Sequence, residues 1–261
     1  MLKVRVLPIL IIQDGLLKKP VQFKNPRTIA NPISIVRVFE EREVDELILL
    51  DRGKTLDEED IDPYLVQDIA EELYVPFAFG GGISNIKSMQ EIIQAGAEKV
   101  VINTFAVQNP ELIRQGANKF GSQCVVVSID ALKHEDGSYE VYIKSGSEPT
   151  GLDPVKWAQK VEEFGAGEIL INSILYDGMM EGFDINLINA VSKSVNIPVI
   201  AAGGAGKVED FPPVILKGCA SAVAAASIYH YTKYTPNMVK GVLNRAGIPV
   251  RIYSDVDYSI T

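Results

Sequence analysis

Short apolar runs alternate with amphipathic stretches about eight times along this 261-residue chain, and this alternation limits its possible folds more than any other feature. Runs of consecutive apolar residues are typical of parallel strands buried on both faces. Eight strand and helix pairs in about 250 residues predict a closed (β/α)₈ barrel, with an open doubly wound sheet as the alternative. The predicted strands are 4–12, 46–51, 76–79, 99–102, 123–129, 168–172, 198–202 and 220–226. The predicted helices are 33–43, 63–73, 85–94, 110–119, 154–164, 185–194, 208–216 and 236–245.

The chain also repeats itself at a single spacing. Residues 44–50 (VDELILL) match residues 166–172 (AGEILIN) at an offset of 122. At the same offset, the dipeptides 75–76 and 81–82 match those at 197–198 and 203–204. These matches predict one barrel domain over residues 1–250, built from half-barrels of about 1–120 and 121–250. The segment after residue 247 has no periodicity, so we expect a flexible C-terminal tail over residues 251–261.

Composition excludes several classes of protein. A formal net charge of −9 and a pI near 4.9 argue against binding to nucleic acid or to anionic membranes, which both need a basic surface. Only two cysteines and two histidines are present, without metal-ligand spacing, so we expect no metal and no cofactor. Both cysteines, Cys124 and Cys219, stand in apolar runs and are predicted to be buried, reduced thiols. No signal peptide or membrane span is evident, which favours the cytoplasm.

Two glycine clusters follow predicted strands at positions where a barrel carries its active site. Gly81 and Gly82 follow the third strand, and Gly203 and Gly204 follow the seventh. Backbone amides exposed by glycine can bind phosphate without lysine, although the same glycines could simply form tight turns. A hydroxyl or amide side chain could complete each cluster, and the candidates are Asn103 and Thr104 for the first and Ser227 for the second. Two such clusters predict a ligand with two phosphate groups.

One carboxylate stands out at the end of the fifth predicted strand. Asp130 would point into the barrel mouth and could act as a general acid or base, or it could cap the following turn. When the first and fifth strands are superposed by their apolar runs, Ile11 is the partner of Asp130. One half-barrel therefore has an acid where the other has an aliphatic residue.

Charged residues also occur at the opposite ends of four predicted strands. They are Arg5, Glu46, Lys99 and Glu168. Two cations and two anions near the barrel floor could form a salt-bridged ring, although charged residues are common where strands begin. Near the mouth, Lys19 lies in the segment after the first strand, which we expect to be a loop that is solvated or folds over a phosphate.

Five motifs in order resemble one family closely, the cyclase subunit of imidazole glycerol phosphate synthase. The motifs are FGGGI, VINTFAVQNP, FGSQCVVVSID, GAGEILINSILYDG and IAAGGAGK. The resemblance covers the chain to about Val250 and implies a barrel of two half-barrels. It also implies a bisphosphorylated ribonucleotide as substrate, ammonia supplied by a glutaminase partner at the floor, and acid–base work by carboxylates on the first and fifth strands.

The resemblance assigns roles to individual positions. Asp130 matches the fifth-strand acid, and Lys19 matches a lysine of a mobile loop over the site. Gly81, Gly82, Asn103 and Thr104 correspond to one phosphate site. Asp177, Gly178, Gly203, Gly204 and Ser227 correspond to the other. Arg5, Glu46, Lys99 and Glu168 match a charged gate for ammonia, which replaces the plainer interpretation of these residues as a salt-bridged ring.

The chain departs from the family at position 11. Ile11 stands where the family has its first-strand aspartate, and loss of one of two acid–base groups typically costs about 10²- to 10⁴-fold in rate. Together with the LLDRGKT segment, this resembles a divergent branch that supports acetamidino modification of surface sugars. The leading prediction is therefore ammonia delivery to a separate sugar amidotransferase, with cyclisation in histidine biosynthesis as the alternative. A non-catalytic sensor of a phosphorylated ligand is a third possibility.

Overall fold

The computed structural model describes residues 3–42, 44–56 and 61–252. Within these ranges the strands, numbered in chain order, are β1 (Arg5–Gln13), β2 (Leu16–Val21), β3 (Lys24–Ala30), β4 (Leu47–Asp51), β5 (Phe77–Gly80), β6 (Lys99–Ile102), β7 (Val125–Lys133), β8 (Tyr139–Ile143), β9 (Glu148–Pro149), β10 (Glu168–Ser173), β11 (Val199–Ala202) and β12 (Ala222–Ala225). The α-helices are α1 (Pro32–Glu41), α2 (Arg52–Leu56), α3 (Pro63–Ala70), α4 (Ile86–Gln94), α5 (Thr104–Gln108), α6 (Glu111–Phe120), α7 (Pro154–Glu163), α8 (Ile185–Ser192), α9 (Phe211–Leu216), α10 (Ser227–Tyr231) and α11 (Pro236–Arg245).

Parallel strands close into a barrel in the order β1, β4, β5, β6, β7, β10, β11 and β12, with β12 pairing back onto β1. This confirms the predicted (β/α)₈ barrel and excludes the open sheet. Strands β1 and β7 lie opposite each other in the ring, as do β5 and β11. The register pairs Ile12 with Asp51 and Asn172 with Asp130, so polar strand ends meet at one rim.

Successive strand residues point to opposite faces of the sheet, so the fold has two apolar cores, one inside the barrel and one between the barrel and its helices. Inward-facing side chains fill the barrel itself; they are Leu7, Ile9, Ile48, Ala78, Val101, Val126, Leu170, Ile200, Ala202, Ala222 and Ala224. Outward-facing side chains such as Val6, Leu49 and Val127 pack against the helices. The barrel interior is therefore a packed core, which supports the strand ends at the rim.

Local sequence fixes where the helices begin. Asp62, Asn85 and Asp153 cap α3, α4 and α7 by accepting amide hydrogens of the first turn. The predicted helix 208–216 is divided into a 3₁₀ turn, Val208–Asp210, and helix α9. Consecutive prolines at 212 and 213 explain the division, since proline lacks an amide hydrogen and is suited to a first helical turn. None of the helices in the described ranges is long and apolar enough to cross a bilayer.

The region after β1 differs from the prediction. Residues 16–30, expected to be a loop around Lys19, form the antiparallel hairpin β2–β3 that extends from the end of β1. Strand β7 likewise continues past the barrel rim and pairs antiparallel with β8. Both additions stand at the carboxyl ends of the barrel strands, where they form walls around the barrel mouth.

One smaller expectation, on the cysteines, needs correction. Cys219 is exposed and Cys124 half-buried, so the predicted burial of both thiols is wrong, although both are free. Cys219 adopts φ +60° in the turn after α9, which turns it away from the core. Of the segment after residue 247, Ile248 and Val250 are buried, and the amide of Val4 donates to Pro249 O at 2.8 Å. Most of the predicted tail, residues 253–261, lies outside the described residues.

Candidate active site

A cavity of about 1130 Å³, including its open mouth, lies at the carboxyl ends of the barrel strands. It brings together every residue predicted to bind substrate or to act at the barrel mouth. These are Ile11, Lys19, Gly81, Gly82, Asn103, Thr104, Asp130, Asp177, Gly178, Gly203, Gly204 and Ser227. Residues from all eight barrel strands or their following loops line this one space, as expected for a barrel active site.

Asp130 is buried in the wall of this cavity. The amide Nδ2 of Asn103 donates to Asp130 Oδ2 at 3.1 Å and also to the carbonyl of Ser128 at 3.0 Å. Burial and the nearby charge of Asp177 raise the pKa of Asp130 to about 7, against the opposing hydrogen bonds from Asn172 and Ser128. A carboxyl group that titrates near neutral pH can both accept and donate a proton under cellular conditions.

Ile11 faces the cavity from β1, on the opposite side of the barrel from Asp130 on β7. The structure therefore places an aliphatic side chain where the family resemblance implies a second acid. A different carboxylate, Asp51, enters the cavity from the end of β4, and burial raises its pKa. Asp51 Oδ1 accepts the amide hydrogen of Lys54 at 3.3 Å, so its carboxylate is partly held by the first turn of α2.

Lys19 is fixed by an ion pair in the cavity wall. Its side chain is 2% exposed, and its ammonium group donates to both carboxylate oxygens of Asp177, at 2.8 and 3.0 Å. Gln22 makes two more hydrogen bonds to the same segment. Its side-chain Nε2 donates to Leu175 O at 2.8 Å, and its backbone amide donates to Asp177 O at 2.7 Å. The β2–β3 hairpin is thereby held across the cavity against the loop after β10.

The two glycine clusters lie on opposite sides of the cavity mouth, after β5 and β11. Gly81 and Gly204 adopt φ of +121° and +114°, which side chains other than glycine rarely tolerate. The hydroxyl of Ser227 is buried beside the second cluster and has no hydrogen-bond partner within the described part of the chain. In the first cluster, the Thr104 hydroxyl accepts the amide hydrogen of Lys144 at 3.1 Å. The second cluster thus offers a donor that a ligand could use.

Four charged side chains form a closed ring at the opposite end of the barrel. Arg5 contacts both Glu46, at 2.5 Å, and Glu168. Lys99 completes the ring with Glu46 Oε1 at 2.8 Å and Glu168 Oε2 at 3.1 Å. Each charge has opposite neighbours on both sides, and both glutamates are buried. Glu46 and Glu168 stand at equivalent positions of the 122-residue sequence repeat.

Among the cavity residues with charged or amide side chains, three were not predicted site residues. Asp51 ends β4, Arg52 follows it, and Asn172 lies beside Asp130 in the β10–β7 register. Asp51 and Asn172 are polar residues at predicted strand ends, which is where a barrel carries its active site, but no role was predicted for them. Arg52 gave a weaker signal, since an arginine after a strand is usually solvated.

The sequence profile of the histidine biosynthesis protein family matches residues 5–235. The chain belongs to this family. Among its curated relatives in the family, "Imidazole glycerol phosphate synthase subunit HisF" of Lactococcus lactis subsp. cremoris strain SK11 is 45% identical over 253 residues, which cover 97% of this chain and 98% of that protein. Proteins of the same name from Dehalococcoides mccartyi strains BAV1 and 195 are each 45% identical over 252 residues, which cover 97% of this chain and 99% of each relative.

These family relatives overturn the predicted role in sugar modification. That prediction placed the chain in a divergent branch on the basis of Ile11 and the LLDRGKT segment. Identity of 45% over 97% of the chain is instead shared with subunits of imidazole glycerol phosphate synthase, which was the alternative interpretation. The leading prediction is therefore wrong, and the sugar amidotransferase that it included as a partner has no support.

Proposed function

We propose that this protein is the cyclase subunit of an imidazole glycerol phosphate synthase, acting in the cytoplasm. It would convert a bisphosphorylated ribonucleotide and ammonia into imidazole glycerol phosphate, aminoimidazole carboxamide ribonucleotide and one molecule of water. The observation that carries this proposal is full-length identity of 45% to HisF subunits, in a chain whose predicted substrate residues line one cavity. The arrangement of that cavity supports each part of the reaction.

The glycine clusters would bind the two phosphate groups of the substrate. They lie on opposite sides of the barrel mouth, so one elongated ligand can span the cavity with its central part beside Asp130. Backbone amides and the Ser227 hydroxyl would supply the hydrogen bonds. This mode of binding agrees with the acidic composition, because backbone donors bind phosphate without adding basic side chains.

Replacement of Gly204 by alanine tests the second cluster. A Cβ there would collide with the carbonyl oxygen of Gly182 in a backbone conformation unfavourable for alanine. We expect Gly204→Ala to weaken binding of the bisphosphorylated substrate at least about tenfold, measured by calorimetry without ammonia. Gly137→Ala is the matched control, since Gly137 also has positive φ, +86°, but its Cβ would meet nothing within 4 Å. Equal binding by both variants would contradict this role.

Asp130 would perform the proton transfers. Ammonia must lose protons as its nitrogen enters the imidazole ring, and the departing ribonucleotide must gain one. A carboxyl group with a pKa of about 7 can take part in both steps, because both of its protonation states are populated near neutral pH. Ile11 cannot transfer a proton, so we propose that Asp130 acts without a second carboxylate on β1.

The ring of charges at the barrel floor would admit ammonia from a glutaminase subunit docked there. Glu168→Gln removes one of the two anions that hold Arg5 and Lys99 in place. We expect this variant, assayed with its glutaminase, to yield severalfold less imidazole product per glutamine hydrolysed, because ammonia escapes before it enters the barrel. Turnover with added ammonium salt should change much less. Unchanged coupling of the two activities would contradict the role of the ring as a gate.

Growth of a histidine-requiring bacterial strain provides a direct test in cells. A strain lacking its own cyclase subunit, but expressing this chain and grown with ample ammonium, should grow without histidine. The Asp130→Asn variant, expressed to the same level, should not support growth. Failure of the wild-type chain to restore growth, at an expression level at which a HisF relative succeeds, would contradict the proposed function.

A further inference from the structure

Arg52 is a charged residue of the cavity to which the proposed reaction has assigned no role. It follows the last residue of β4 and lines the cavity with Ile11 and Asp130. Its Nη2 donates to the carbonyl oxygen of Phe23, in the turn of the β2–β3 hairpin, at 2.7 Å. Its Nε is buried and has no protein hydrogen-bond partner among the described residues. The guanidinium is therefore positioned by its hydrogen bond to Phe23, and its Nε–H can still donate to a ligand.

The other charged groups of the cavity leave this guanidinium only partly neutralised. The carboxylate of Asp177 accepts hydrogen bonds from Lys19 through both of its oxygens. The carboxylate of Asp51 accepts the amide hydrogen of Lys54 in α2. Asp130 and Asp177 both attract Arg52, but burial lowers its pKa against that attraction. A partly buried cation that is incompletely paired is stabilised when a ligand brings a hydrogen-bond acceptor or a negative charge to it.

The position of Arg52 defines which part of a ligand it can reach. Strand β4 lies between β1, which carries Ile11, and β5, which precedes the first glycine cluster. In the β1–β4 pairing, Ile11 stands opposite Leu50 and Ile12 opposite Asp51, so Arg52 lies just beyond the neutral position 11. A carboxylate at position 11 could form an ion pair with Arg52, whereas isoleucine cannot, which leaves the guanidinium able to bind a ligand.

We propose that Arg52 is a substrate-binding residue that donates hydrogen bonds to an oxygen atom of the substrate between its two phosphate groups. This assignment rests on the proposed function, because it takes the bisphosphorylated ribonucleotide as the ligand. A charge-assisted hydrogen bond in a partly buried site is stronger than a neutral one and selects ligands that carry an acceptor there. Arg52 thus adds specificity for the centre of the substrate, which the glycine clusters do not contact.

Calorimetric binding without ammonia separates this role from catalysis. We expect Arg52→Gln to bind the bisphosphorylated ribonucleotide about 10- to 100-fold more weakly than the wild type. Arg52→Lys should also bind it more weakly, because one ammonium group cannot both hold Phe23 O and reach the substrate. Arg114→Gln is the matched control, since Arg114 is exposed and pairs with Glu111 on the outer surface. That variant should bind like the wild type.

Inorganic phosphate serves as a second probe, because it can occupy the glycine clusters without extending to the centre of the cavity. Its affinity should be the same for the wild type and Arg52→Gln if the fold and hairpin are intact. Equal weakening of phosphate and bisphosphate would show that Arg52 only supports the structure, and would overturn the proposal. Bisphosphate affinity within twofold of the wild type in Arg52→Gln would also overturn it. Failure of the wild-type chain to bind bisphosphate would instead refute the proposed function, and this assignment with it.

Discussion

Asp130→Asn should lower ammonia-driven formation of imidazole glycerol phosphate by about 10²- to 10⁴-fold, because Ile11, which faces the cavity from the opposite strand, cannot take over proton transfer. Asparagine is nearly the same size and can still accept the hydrogen bond from Asn103 through its amide oxygen. Binding of the bisphosphorylated substrate should therefore change little. Steady-state kinetics and calorimetry on the same protein samples measure the two effects. Loss of less than about tenfold in rate would show that Asp130 is not the acid–base group.

The pH dependence of stability provides an independent check on Asp130. Folding raises its pKa from an ordinary value of 3.8 to about 7, so the folded state holds a proton that the unfolded state has lost between these values. The protonated group favours the fold below about pH 4, and this contribution is lost as the pH rises through 7. Asp130→Asn should thus be more stable than the wild type at pH 8 and similar to it at pH 4. Thermal denaturation at both pH values measures the difference, which should vanish if Asp130 is solvated.

Lys240→Met should destabilise the fold by about 3–5 kcal/mol, the second large effect that we expect. Lys240 on α11 is fully buried, and its ammonium group donates to Asp45 Oδ1 at 2.8 Å. Asp45 also accepts the amide hydrogen of Val6 through Oδ2 at 2.9 Å, which ties α11 to the start of β1. Removing the lysine leaves a buried carboxylate without its cation. Urea denaturation followed by circular dichroism measures the change.

The double variant Lys240→Met with Asp45→Asn is the matched control. An asparagine oxygen can still accept the Val6 amide hydrogen, and no buried charge remains. We expect this pair to recover most of the stability lost in Lys240→Met. If the single variant loses less than about 1 kcal/mol, or the double variant is no more stable, then the ion pair does not hold this part of the barrel.

Much of the fold was predictable because the barrel strands are buried on both faces. Val125 and its neighbours form a continuous apolar run, and the 122-residue repeat places Glu46 and Glu168 at equivalent positions. Glycines at 81 and 204 marked the two clusters because their backbone conformation requires them. These features follow local rules, so they can be identified without knowledge of tertiary contacts.

The hairpin over the cavity was not predictable from the same rules. Strand β3 is mostly exposed and polar, and Pro20 and Pro26 are unfavourable in most strands. The hairpin is held by long-range contacts, such as that between Lys19 and Asp177, 158 residues apart. Arg52 was overlooked for the same reason, since only the folded chain places it beside Asp130 and Phe23. The departure at Ile11 stays a prediction, and it did not justify assigning the chain to another pathway.

The most direct test is to supply the purified chain with the bisphosphorylated ribonucleotide and an ammonium salt, without any partner, and to follow imidazole glycerol phosphate over time. We expect steady product formation that is nearly abolished in Asp130→Asn. We also expect one molecule of aminoimidazole carboxamide ribonucleotide to be released with each molecule of product. The assignment of cyclase chemistry to this barrel would be contradicted if the folded chain binds the substrate but does not consume it. Equal rates in the wild type and Asp130→Asn would contradict it as well.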